Sequence, residues 1–284
     1  VNLGDLYSGP ISNTIIYSGT NQTLAIPTGA LSAYNNLIIN GTGAIFPSSL
    51  NISGNLTLNQ PVDFSGKALV MNGVATQTIG GTVSPVFSNL TLNNSFGEVA
   101  LNTSATVNGT LSLTQGILDI GNYNLTVGTN PIAGSFSTSN MIITSGTGKV
   151  RRIFEQIDSY TFPIGERTFG GLKYTPITAT ISSGTFSNAY IGFSVVNAVH
   201  PNNSSLTNSL SRYWEMEHSG ITSGIISVVA NYETNDVIGT ESTIIGALLQ
   251  GTYNQFSNPW ITFDNLGSSQ IVIDDAMLET NSTM

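Results

Sequence analysis

Apolar and polar residues alternate along most of this chain in short runs. Asn55-Leu56-Thr57-Leu58 and Asn89-Leu90-Thr91-Leu92 are typical, with an apolar residue at every second position. A period of two puts alternate side chains on opposite faces of an extended backbone, so each run predicts a short strand with one buried face. Asn-Gly, Ser-Gly and Gly-Asn pairs stand between the runs. These residues accept the left-handed backbone of tight turns. No long stretch carries the 3.6-residue period of an amphipathic helix, and the pattern predicts an all-β protein.

The runs recur in order. Gln22-Thr23-Leu24 returns as Gln77-Thr78-Ile79, and Asn36-Leu37-Ile38-Ile39-Asn40 as Asn89-Leu90-Thr91-Leu92-Asn93. Ile52-Ser53-Gly54-Asn55-Leu56-Thr57-Leu58 returns as Val107-Asn108-Gly109-Thr110-Leu111-Ser112-Leu113, and Leu69-Val70-Met71 as Leu125-Thr126-Val127. The offsets are 55, 53, 55 and 56 residues. They define β-repeat A at 15–73 and β-repeat B at 74–128. An N-terminal arm, 1–14, precedes them, and 129–148 follows as a linker or last coil. Short, evenly spaced strands suit a β-solenoid-like or sandwich-like array, each repeat burying its apolar face against the next.

The character of the chain changes near residue 149. Only Asp5, Asp63, Glu98 and Asp119 of the sixteen acidic residues precede it. Arg151, Arg152, Arg167, Lys173 and Arg212, both Trp and both His follow it. Strand patterns lengthen, at Lys173 to Ile181, Ala189 to Val196, Ile225 to Tyr232 and Gln270 to Ile273. This predicts a separate antiparallel β-sandwich at 149–277 and a polar tail at 278–284.

Charge narrows the range of partners. Charged residues make up 8% of the chain, against about 25% in an average globular protein. Net charge is −9 with seven Lys and Arg, so no basic stripe is available for nucleic acid or an anionic membrane surface. No apolar stretch is long enough for a membrane span. The absence of Cys excludes disulfides, thiolate metal sites and cysteine nucleophiles. The chain opens on Val1 without a charged segment and apolar run, which leads to the expectation that any secretion signal has been removed.

Phe87-Ser88-Asn89-Leu90-Thr91-Leu92-Asn93-Asn94 and Thr106-Val107-Asn108-Gly109-Thr110-Leu111-Ser112-Leu113-Thr114-Gln115-Gly116-Ile117-Leu118 resemble repeats of large cell-surface proteins from Gram-negative bacteria that use type IX secretion. In that class such repeats often precede a module with an Arg-rich strand, a Phe-Pro-Ile-Gly and an Arg-Tyr-Trp. The counterparts here are Val150-Arg151-Arg152, Phe162-Pro163-Ile164-Gly165 and Arg212-Tyr213-Trp214. The resemblance spans roughly 12–265. It implies a secreted, extracellular or cell-surface protein: an adhesin, a surface-layer or filament component, or a non-catalytic part of a larger exoprotein. This chain is short for the class, with two repeats and no recognisable C-terminal sorting domain; since that domain is normally cleaved on export, the expectation is compatible with a mature protein. The class carries no set of functional residues to transfer.

The residues themselves offer little catalytic chemistry. On a strand, Trp214, Met216 and His218 share one face, and Glu215 and Glu217 the other, which predicts a core face and two solvated glutamates. His200, before Pro201 and an Asn/Ser loop, reads as a solvated loop residue. The carboxylates Glu215 with Glu217, Glu233 with Asp236, and Asp274 with Asp275 lie too close in sequence for a glycosidase pair. Asp236, Glu241 and the Asp274-Asp275 pair lack the spacing of a calcium loop. No nucleophile elbow and no phosphate loop are present. The expectation is a protein that is not an enzyme, with no cofactor and no metal.

Asn-x-Ser/Thr sequons are dense. Those at Asn21, Asn40, Asn51, Asn55, Asn89, Asn93, Asn108, Asn124 and Asn203 are candidate glycan sites, and the class resembled adds Ser159 of Asp158-Ser159-Tyr160 as an O-linked site. Such sequons also arise automatically in Asn- and Thr-rich repeats. The charge-poor repeats leave strand edges with few guarding charges. The arm carries Val1, Leu3, Leu6 and Ile11, which predicts strand addition to a neighbouring copy and a homopolymeric extracellular fibre. The alternative is an adhesin or glycan-binding stalk, with aromatic platforms near Trp260 or Tyr253.

Overall fold

The computed structural model describes residues 12–28, 32–203, 205, 207–251, 254–255, 258–263, 269–278 and 282–283. The chain forms two compact units, Val1–Gly148 and Lys149–Met284. The arm residues Val1, Leu3, Leu6 and Ile11, and Tyr253, lie outside the described residues.

In the first unit the strands are β1 (Thr14–Tyr17), β2 (Asn36–Ile39), β3 (Ser49–Ile52), β4 (Leu56–Leu58), β5 (Phe64–Met71), β6 (Gln77–Gly81), β7 (Val86–Leu101), β8 (Ala105–Val107), β9 (Leu111–Asp119), β10 (Leu125–Val127), β11 (Ala133–Gly134) and β12 (Ile142–Ile143). They pair in parallel and wind a β-solenoid of about seven turns. One stack runs through Ile15, Leu37, Leu56, Ile79 and Leu101. A second runs through Leu50, Leu69, Leu90 and Leu111, and a third through Phe64, Phe87, Val107 and Val127. Each triplet sends its two apolar residues inward, as Leu56 and Leu58 do with Thr57 between them. The inner side chains stack coil on coil, and the rings of Phe46, Phe64 and Phe87 follow one another at 4.8 and 4.9 Å. Burying each such residue contributes roughly 1.5–3 kcal/mol.

The corners are held by asparagine. Asn36 Oδ1 accepts the backbone N–H of Asn55 (2.9 Å), Asn55 Oδ1 that of Thr78 (2.8 Å), and Asn89 Oδ1 that of Thr110 (2.9 Å). Each bond joins one coil to the next. Gly54 and Gly109 are equivalent in the two repeats and pass close to these amides. A Cβ on Gly109 would lie 2.3 Å from the Ser88 carbonyl oxygen and 2.7 Å from Asn89 Oδ1.

The 55-residue repeat is not one coil. Asn36–Ile39 lies in the first stack, but its copy at Asn89 lies in the second. Ile52 lies in the second stack and its copy Val107 in the third. Copies are eight strand positions apart, two full turns plus two of the three faces, so the solenoid carries each repeat onto a different face.

The second unit is antiparallel. Its strands are β13 (Val150–Phe154), β14 (Ser159–Phe162), β15 (Ile164–Thr168), β16 (Gly171–Tyr174), β17 (Ile177–Val196), β18 (Ser209–Leu210), β19 (Tyr213–Asn231), β20 (Val237–Ile238), β21 (Gly246–Gln250), β22 (Ile261–Phe263), β23 (Gln270–Met277) and β24 (Ser282–Thr283). The long strands β17 and β19 pair from Ile177↔Ala230 to Val196↔Tyr213, with bulges between Ile181 and Tyr190. β13 and β14 flank β17, and β23 flanks β19. The single strand expected over Lys173 to Ile181 is split at Thr175-Pro176, because proline has no N–H to give a ladder. Among the described residues no helix is long and apolar enough to cross a membrane.

Candidate functional site

The start of β19 positions the site. Alternation along this strand turns Trp214 inward, where it is buried, and leaves Tyr213 half-buried. The segment before it carries His200, Asn202 and Asn208, β21 brings Ala247, and β23 brings Ile271 and Ile273. Together with Trp260 they enclose a cleft of about 530 Å³, within the usual size of small-ligand sites.

The His200 ring stands edge-on to both Tyr213 and Trp260, with ring centres 4.7 Å from each. Trp260 Nε1 donates to the Asn202 carbonyl (3.3 Å), and His200 Nδ1 accepts the Asn202 backbone N–H (3.1 Å). The neutral imidazole therefore carries its proton on Nε2. Burial lowers the His200 pKa below its ordinary value, against the opposing pull of Glu215. His200 is thus part of an aromatic cluster and not the solvated loop residue expected. The proline and polar run that follow it in sequence hid this, since both ring partners lie further along the chain.

The indole nitrogen of Trp214 has no hydrogen-bond partner among the described residues. A buried donor left unmatched costs about 1–3 kcal/mol, and buried Trp N–H groups normally find an acceptor.

Beside the cleft lies a buried ion cluster that the sequence reading missed. Arg212 pairs with Glu166 Oε1 and Asp236 Oδ1, each at 2.6 Å. Lys173 also pairs with Asp236, and with Glu233 at 3.6 Å. Burial alone would raise the Asp236 pKa, but hydrogen bonds from Lys173, Arg212 and the Glu233 backbone hold it below the ordinary carboxylate value. Burial pushes Glu166 up, with Arg212 pulling the other way. The signal was present: Arg212 is two residues from the inward Trp214, so alternation turns it toward the core, where it needs carboxylates.

The other candidates are placed as follows. Glu215 pairs with Lys149 (2.7 Å) and Glu217 with Arg151, so these glutamates are ion-paired rather than solvated as expected. Arg152 lies over the rings of Phe154 and Tyr160 and pairs with Asp158 at 3.1 Å. Glu241 accepts from the Ser269 backbone (2.8 Å) and Asp274 from Ser227 Oγ (2.9 Å). Among the described residues no group of three or more His, Asp or Glu is placed to hold a metal. Of the sequons, Asn21, Asn40, Asn89, Asn93 and Asn108 are exposed, while Asn51, Asn55, Asn124 and Asn203 are half-buried. Asn40 Oδ1 accepts from Asn59 (2.8 Å) and Asn203 Oδ1 from Ser205 (2.9 Å). Ser159 is exposed and shares a hydrogen bond with Thr180 (2.7 Å). No family model, curated protein or solved structure matches this chain.

Proposed function

We propose that this chain is an extracellular, non-catalytic structural protein of the adhesin type, in which the β-solenoid is a stiff stalk and the second unit, read as a β-sandwich, binds a ligand. The observation that carries this reading is the cleft lined by Tyr213, Trp214 and Trp260. The carboxylates nearby support a non-catalytic role, since Glu166 and Asp236 are spent on Arg212 and Lys173. The reading is tested by coating beads with the protein and measuring their adhesion to bacterial cells and extracellular polymer. Adhesion that falls in Trp260→Ala supports it, and beads that adhere no better than albumin-coated ones reject it.

A fibre subunit is the second reading, and one pairing favours it. Thr283 of the chain's own β24 pairs with both Glu215 of β19 and Leu249 of β21, so a short strand fits between them, and exchange of that strand between copies would be one route to self-assembly. Negative-stain microscopy decides: regular fibres support homopolymerisation, and dispersed particles at high concentration reject it. Covalent glycan belongs to the same extracellular reading. Asn93 and Asn108, both exposed, are the sequons best placed to carry it, and an intact mass equal to the bare 29.8 kDa would refute it.

A further inference from the structure

We infer that the cleft beside Trp214 takes the neutral end of a saccharide chain, an inference that rests on the binding-module reading above. Charge is the first argument. Among the described residues Arg212 is the only permanently charged one lining the cleft, and its guanidinium is already paired with Glu166 and Asp236. His200 is held toward its neutral form by burial. Among the described residues no Asp, Glu or Lys lines the cleft. Among these residues an anionic ligand therefore finds no unspent cation, and a cationic ligand finds no carboxylate.

The mixed character of the walls is the second argument. Val228, Ile271 and Ile273 present aliphatic surface, while Asn202, Asn208 and Thr243 present amides and a hydroxyl. A wholly apolar ligand would cut the Asn202 and Asn208 amides off from water. A sugar ring meets both requirements, because its C–H faces lie on apolar and aromatic surface while its hydroxyls bond to amides. Tyr213 and Trp260 supply the aromatic surface.

The chain has two Trp, and both line the cleft, so intrinsic fluorescence reports on it directly. The purified full chain is titrated with neutral hexasaccharides (cellohexaose, maltohexaose, mannohexaose, chitohexaose), with hexagalacturonate, with a Gly/Ser hexapeptide and with octanol. At least one neutral hexasaccharide is expected to change the emission saturably, and hexagalacturonate to bind at least about tenfold more weakly. Trp260→Ala is expected to weaken saccharide binding by about tenfold or more. Tyr213→Ala, which removes the other aromatic surface, is expected to weaken it roughly threefold to thirtyfold. Calorimetry with the same saccharide serves the variants, and an unchanged near-ultraviolet circular dichroism spectrum certifies their folding. A response to the peptide or octanol but to no saccharide overturns the ligand class and leaves the binding-module reading standing. Silence toward every probe overturns both. Undiminished saccharide binding in both variants overturns the placement in this cleft.

Discussion

At the residue scale, Arg212 shows how one buried charge organises its neighbours. Its side chain is inaccessible to solvent and balanced by Glu166 and Asp236. Removing one partner of a buried ion pair leaves an uncompensated charge, so Asp236→Asn is expected to cost about 3–5 kcal/mol, read from the urea midpoint at neutral pH. The pH dependence has a definite sign. The folded pKa of Asp236 lies below the ordinary value of 3.8, so its contribution is fully present above that value and is lost as pH falls through the folded pKa. Glu166 is raised and works in the opposite direction, regaining stability as it protonates. Acid titration of the urea midpoint should show a drop below about pH 3.8 that is diminished in Asp236→Asn. An unchanged acid limb in that variant would refute the role given to Asp236. That Arg212 faces the core follows from its spacing to Trp214. Its partners did not follow, because Glu166 stands 46 positions earlier and Asp236 24 later in the chain and only strand pairing brings them together.

At the element scale, the solenoid is a set of ladders in which each rung supports two others. Leu90 pairs in register with Leu69 and Leu111 and is fully buried. Leu90→Ala is expected to cost about 2–5 kcal/mol in the urea midpoint of the first unit. The corner bonds are smaller. Asn89→Ala should lose about 1 kcal/mol, while Asn89→Asp, which keeps the acceptor oxygen, should lose less. Gly109→Ala should cost more than Asn89→Ala, since its Cβ meets both a backbone carbonyl and the Asn89 amide. Equal losses for the three corner variants would argue against the ladder. The strands and Asn/Gly corners were legible from period two and turn chemistry. The coil was not, because the strongest repeat in the sequence spans eight strand positions and the solenoid has three faces.

At the scale of the whole molecule, charge is divided unevenly. Among the described residues of the first unit the charged side chains are Asp63, Lys67, Glu98 and Asp119, while the second holds the buried cluster and the ion pairs of Lys149, Arg151 and Arg152. Salt screens exposed and half-exposed pairs most. Scanning calorimetry of the intact chain is therefore expected to resolve two transitions, of which the solenoid's shifts less between low and high salt and between pH 7 and pH 4. A single transition moving as one body would count against two independent units. By itself the sequence determined an all-β chain, its strand-sized runs, its turns and the change of character near residue 149, since each depends on residues within a few positions of one another. Tertiary structure decided which runs stack, which face each repeat occupies, which carboxylates meet Arg212, and that His200, Tyr213, Trp214 and Trp260 line one cleft. Those outcomes depend on pairings between distant strands, whose register is set by how apolar faces fit when the chain closes on itself, and local alternation cannot specify the partner.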